Sequence, residues 1–128
     1  MNKIRFITFD EVKYIHKNQI DTYGGSYGIR DEGLLLSALA MPSAGFGLEY
    51  YHKDIFHMAA AYCFHLCQNH PFVDGNKRVA LATALVFLDL NGITILDPDK
   101  ILYDTVINLA SDKLSKDELS EIIKSLAL

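Results

Sequence analysis

The sequence predicts an all-α fold, a compact bundle whose two central, buried helices are joined by one short polar loop. Three observations carry this. The segments Ile55–Cys67 and Asn76–Leu90 are apolar nearly all round, as helices are when they are buried on every side. Helix punctuation recurs along the chain, with capping boxes at Thr8-Phe9-Asp10-Glu11 and Ser115-Lys116-Asp117-Glu118. No stretch alternates apolar and polar residues in the manner of a half-buried strand.

The elements follow in order. Thr8 opens a first helix that runs to about Thr22, where Tyr23-Gly24-Gly25 stops it. Asp31 caps a short helix carrying Leu34, Leu35, Leu36, Ala38 and Leu39, closed by Pro42. Ser43–Tyr51, with Gly45 and Gly47, reads as an irregular loop. Asp54 starts the first central helix, which Pro71 ends near His70 by disfavouring helical geometry before it. The second central helix runs from near Asn76 to Leu90 and stops at Asn91-Gly92. Ile93–Leu96 reads as briefly extended. Two helices follow, Pro98–Ala110 and one opened by Ser115. Seven or so helix-like segments result, in a single unit over residues 1–128 without repeat, low-complexity tract or linker.

Length and charge set bounds on function. At 128 residues the chain suits one domain with a real core, and it is too short for a two-lobed kinase. Twelve Lys and Arg against sixteen Asp and Glu give a net charge of −4, which argues against a nucleic-acid or acidic-membrane binder. The apolar runs fall short of the ~20 residues that span a bilayer. Met1-Asn2-Lys3-Ile4-Arg5 meets Asp10 and Glu11 before an apolar signal segment can form, and two cysteines make no disulfide framework. The expectation is a cytosolic, soluble domain.

The loop between the central helices reads His70-Pro71-Phe72-Val73-Asp74-Gly75-Asn76-Lys77-Arg78. Lys77 and Arg78 stand at the start of an apolar helix, where the dipole already places positive charge. Cations there are unfavourable unless an anion faces them. Open backbone N–H groups, a glycine that allows close approach and two cations together describe a phosphate site. Asp74 beside it suits Mg²⁺, a hard cation that prefers carboxylate, water and phosphate oxygens. His70, at the other end of the loop, is of the residue type that most often serves as a general base.

Each residue also has a plainer reading. A basic pair at a helix end snorkels into water, Asp74-Gly75 makes a turn, and Asn76 makes an N-cap. His16, His52, His57 and His65 read as structural. Cys63, Cys67 and His70 share one helical face at zinc-ligand spacing, but no fourth ligand accompanies them, and buried cysteines are common. The nine-residue arrangement as a whole separates His70 from the other histidines.

That loop resembles the signature of the Fic/Doc proteins. The similarity extends to Tyr23-Gly24-Gly25, to Gly28-x-Arg30-Asp31-x-Gly33-Leu34-Leu35 and to Phe87-Leu88-x-x-Asn91-Gly92, covering roughly residues 10 to 95. It is closest to the Doc (death-on-curing) branch, toxins of type II toxin–antitoxin pairs. The larger Fic branch, which moves AMP from ATP to hydroxyl side chains, has Gly in place of Lys77 and a second Arg in place of Leu81. Both departures should change how the triphosphate lies. The resemblance therefore implies a Doc-like activity: phosphorylation of a protein hydroxyl, with elongation factor Tu as target and translation arrest as result.

Carried over, His70 would be the base and Asp74 would hold Mg²⁺. Asn76, Lys77 and Arg78 would grip the phosphates of ATP with the N–H of Gly75. Tyr50, Tyr51 and the Gly45–Gly47 loop are candidates for reading base or target by position only. The inhibitory Ser/Thr-x-x-x-Glu segment of many Fic proteins is absent. Restraint would then come from a separate antitoxin with a disordered tail that folds on binding. Two rivals stand beside this reading: AMP transfer on the same fold, and a non-catalytic module that binds a partner.

Overall fold

The structure is a computed structural model and describes residues 3–128. Met1 and Asn2, part of the reading against a signal peptide, lie outside the described residues. Among those described there are six helices: α1 (Phe9–Tyr23), α2 (Glu32–Ala40), α3 (Ile55–Asn69), α4 (Asn76–Leu90), α5 (Leu102–Ala110) and α6 (Lys116–Ser125). The predicted all-α bundle is what the chain forms. None of the helices is long and apolar enough to cross a membrane.

Local chemistry sets most helix starts. Thr8 and Ser115 each close a full capping box, and Asp31 and Asp54 accept from the third N–H of their helices. Such caps typically contribute about 1 kcal/mol each. Packing then centres on α3 and α4. Ala59, Ala60, Ala61 and Tyr62 on one helix, and Val79, Ala80 and Ala84 on the other, are wholly buried, and these mostly small side chains let the helices nest closely. α2 and α6 flank α3, while α1 and α5 flank α4.

Three local expectations are corrected. The segment Ser43–Tyr51 is not irregular throughout: β1 (Gly45–Phe46) and β2 (Glu49–Tyr50) pair antiparallel as a hairpin. Gly47 turns it with φ +64°, and a side chain at Gly45 would strike the Glu49 carbonyl oxygen at 2.1 Å. The fifth helix begins at Leu102 rather than Pro98. The Asp97 carboxylate accepts from the N–H groups of Ile101 and Leu102, and Lys100 adopts a left-handed φ of +55° that helix cannot continue through. The helices number six, not seven. The extended reading of Ile93–Leu96 holds at Ile95, which pairs with Ala127 and ties the α4–α5 connection to the end of α6.

Tyr62 fastens the segment before α1 to the core. Its ring is fully buried, and its hydroxyl accepts from the Ile7 N–H at 2.9 Å. Burial pushes the phenol up to about 12. In the unfolded chain a phenol titrates near 10, so the folded state holds its proton longer and stability falls as pH rises from 10 towards 12. Tyr62→Phe strands a buried N–H donor, a loss of about 1–2 kcal/mol at neutral pH. Urea unfolding of the two proteins at pH 7 and pH 10.5 should show that loss at the lower pH. It should also show a shallower alkaline decline in the variant.

Candidate active site

The loop from His70 to Gly75 reverses the chain between α3 and α4, and its shape is fixed from several directions. His70 ends α3 in the left-handed region (φ 51°, ψ 50°), an uncommon conformation for a residue with a Cβ. Arg30 holds it there: its Nε–H donates to the His70 carbonyl at 2.7 Å, and its terminal nitrogen donates to the Asn69 carbonyl at 2.9 Å. A cation on the last carbonyls of α3 also opposes the negative end of that helix. The backbone joins in, since the N–H groups of Arg30 and Asp31 both donate to the Pro71 carbonyl and that of Val73 donates to Gly28. Ile29 and Phe72 thus pair as a single antiparallel bridge.

Asn76 closes the turn from the other end. Its carboxamide accepts from the Phe72 N–H and donates to the Phe72 carbonyl, both at 3.0 Å, and the residue is buried. This is a different task from either one read in the sequence. The N-cap of α4 is Gly75, left-handed at φ 73°, and no side chain caps the helix. Asn76 instead braces the loop, so its amide is largely committed to Phe72.

The first turn of α4 accordingly keeps open N–H groups and contains no acidic residue of its own, Asp74 lying just before it. Lys77 is exposed and Arg78 half-buried. Among the described residues neither has a carboxylate within ion-pair distance. The Arg78 guanidinium lies instead 4.0 Å from the ring centre of Tyr23 and 4.5 Å from that of Tyr103. Open N–H groups, a positive helix end and two cations without counter-ions are the features that suit an anion.

Asp74 is steered by α1 and the residues after it. Its Oδ2 accepts from the Ser26 N–H at 3.1 Å and its Oδ1 from the Gly75 N–H at 2.8 Å. A Cβ at Gly25 (φ +120°) would lie 2.8 Å from that Oδ2, so only glycine fits there. The His16 Nε2–H donates to the Asp74 carbonyl at 2.7 Å, and its buried ring stacks on Phe72 with centroids 3.9 Å apart. The carboxylate keeps lone pairs free on the exposed side. Mg²⁺ fits such a donor set, because it uses one or two carboxylates and takes its other ligands from phosphate and water.

His70, Asp74, Gly75, Asn76, Lys77 and Arg78 line one open cavity of about 300 Å³, with Gly24, Val73 and Tyr103. All six residues singled out in the sequence therefore meet. The cysteines do not join them: Cys63 and Cys67 are buried, and the hydrogen bond between them, then burial, pushes the Cys63 thiol up. Among the described residues no group of three or more metal-ligating side chains forms. Tyr50 and Tyr51 belong to the hairpin end and do not line this cavity. Missed in the sequence were the parts that brace the site. His16 shares the buried stripe of Val12, Ile15 and Ile20, and a polar residue on such a stripe was the available signal. Tyr103 had none.

Comparison with known proteins agrees with this geometry. The Fic/DOC family model matches residues 6–88. The chain is 30% identical over 123 residues to a protein of Escherichia phage P1 named "Protein kinase doc", with 96% of each chain covered. It is 43% identical over 74 residues to "Toxin Doc" of Mycolicibacterium smegmatis, covering 57% of this chain and 56% of that one. With the signature loop assembled at the head of α4, the chain belongs to the Fic/DOC family, on its Doc branch.

Proposed function

We propose that this protein is a Doc-like toxin that transfers the γ-phosphoryl group of ATP to a Ser or Thr hydroxyl of a target protein in the cytoplasm. The target implied by the family resemblance is elongation factor Tu, and its modification would arrest translation. The observation that carries the reading is the uncapped start of α4, where Lys77 and Arg78 stand without counter-ions in the cavity shared by His70 and Asp74. The names of the two relatives, a protein kinase and a toxin, support it.

The chemistry asks little of the protein beyond position and charge. The phosphates lie beside Gly75 on the open N–H groups of the first turn of α4, with Lys77 and Arg78 drawing off negative charge. Mg²⁺ held by Asp74 would neutralise more of it. His70 takes the proton of the attacking hydroxyl while that oxygen bonds to the γ-phosphorus, the bond to the bridging oxygen breaks, and ADP leaves. A cavity of about 300 Å³ is at the small end of ligand sites, so it suits the phosphates and leaves the base on the open surface. Leu81, where the AMP-transferring branch has a second Arg, packs against the core and offers no donor. An antitoxin with a disordered tail is the partner that would restrain the toxin.

The deciding experiment offers the protein ATP labelled at either the α or the γ phosphorus, with Mg²⁺ and cell extract. Label should enter protein only from the γ position, and His70→Ala should reduce it by about 10²–10⁴ and abolish growth inhibition. Label entering only from the α position would replace phosphorylation by AMP transfer. Growth inhibition that survives His70→Ala would point to a binding module instead.

Two further outcomes follow from the supports of Asp74. Asp74→Asn should raise the Mg²⁺ concentration for half-maximal transfer, and chelation of Mg²⁺ should stop wild-type transfer altogether. His16→Phe keeps the stack on Phe72 but leaves the Asp74 carbonyl without its donor. It should lower stability by about 1–2 kcal/mol and shift the Mg²⁺ requirement in the same direction as Asp74→Asn.

A further inference from the structure

Arg78 is the one cation of the site whose surroundings are built, and they are aromatic. Its guanidinium carbon lies 4.0 Å from the Tyr23 ring centre and 4.5 Å from the Tyr103 ring centre, inside the ~6 Å range of cation–π attraction. The two rings come from separate elements, the last residue of α1 and the second residue of α5. Neither belongs to the hydrophobic core, and Tyr23 is 58% exposed. Core packing therefore does not account for them.

We propose that Tyr23 and Tyr103 are positioning residues, an aromatic clamp that fixes the Arg78 guanidinium for the terminal phosphates of ATP. This rests on the phosphoryl-transfer reading above. A free arginine side chain samples many rotamers, and holding it beforehand removes part of that entropy from the cost of binding. A carboxylate would hold it as firmly, but it would occupy the in-plane N–H groups that a phosphate needs. Rings attract the cation through their faces and take none of those donors. Among the described residues the Arg78 side chain donates to no protein acceptor, so its fork remains available to an anion.

The clamp also gives the C-terminal part of the chain a task at the site. The family model ends at residue 88, whereas Tyr103 lies on α5. The buried face of α5 is Leu102, Thr105, Val106 and Leu109, which docks the helix and leaves Tyr103 beside the cavity. The α4–α5 connection thereby sets the height at which the ring meets Arg78.

The test measures Mg²⁺–ATP binding by calorimetry, and KM and kcat for transfer, in the whole protein carrying Tyr23→Leu, Tyr103→Leu or the matching Phe substitutions. Each Leu variant should bind ATP roughly three- to tenfold more weakly and raise KM by the same factor. kcat should fall less, the melting transition should stay in place, and the Phe variants should behave as wild type. In an Arg78→Ala background, Tyr103→Leu should have no further effect. The NMR signal of the Arg78 Nε–H should carry a ring-current shift in the free wild type and lose it in Tyr103→Leu, which reports on the clamp without any nucleotide.

Leu variants that bind ATP as wild type does overturn the clamp and leave the transfer reading intact. An equal loss in the Arg78→Ala background overturns it too, because the rings would then be contacting the nucleotide directly. A wild type that binds no ATP overturns the clamp together with the reading on which it rests.

Discussion

The double hydrogen bond between the Asn76 carboxamide and the backbone of Phe72 is the closure on which the site depends. It satisfies the N–H and carbonyl of buried Phe72, and leaving either unpaired would cost about 1–3 kcal/mol. It also fixes the direction in which α4 leaves the turn. Asn76 is the first residue of α4, and the N-cap position before it falls to Gly75, which has no side chain to cap the open N–H groups. The same turn thus braces the loop and leaves the start of α4 open.

Around that closure the other supports are arranged by backbone rather than by side-chain chemistry alone. The Pro71 carbonyl takes two N–H donors from Arg30 and Asp31, and the Arg30 side chain covers the last carbonyls of α3. His16 reaches the Asp74 carbonyl from α1. His70 is therefore held through its main chain and Asp74 through both its carbonyl and its carboxylate, and the two line the cavity with Lys77. Cations placed against the dipole of α4 make sense in this frame. They are tolerated because α3 and α4 bury enough apolar surface to hold the helix without help from its terminus.

Particular residues show how far local sequence carries the fold. Thr8 and Ser115 mark helix starts that the structure reproduces to the residue, because a capping box is a contact between residues three apart. The Pro98 start fails for a local reason too: the Asp97 carboxylate accepts from the N–H groups of Ile101 and Leu102, and Lys100 breaks the helical path between. The hairpin at Gly45–Tyr50 is two residues per strand, too short to show an alternation. In the site, the nine-residue loop was legible because its donors and carboxylate are contiguous. His16, Ser26, Arg30, Tyr23 and Tyr103 act on it from 25 to 58 residues away in sequence, and no local pattern records that.

The sequence by itself determined the helical class, the four capped helix starts and the identity of the loop that gathers imidazole, carboxylate and cations. These follow from contacts within a turn or two, which adjacent residues decide. Tertiary structure decided the rest: that Asn76 braces the turn instead of capping, that Asp74 is steered by Ser26 and His16, and that two tyrosines from opposite ends of the chain meet Arg78. Those depend on how α1 and α5 pack against α4, and packing is settled by the whole core at once.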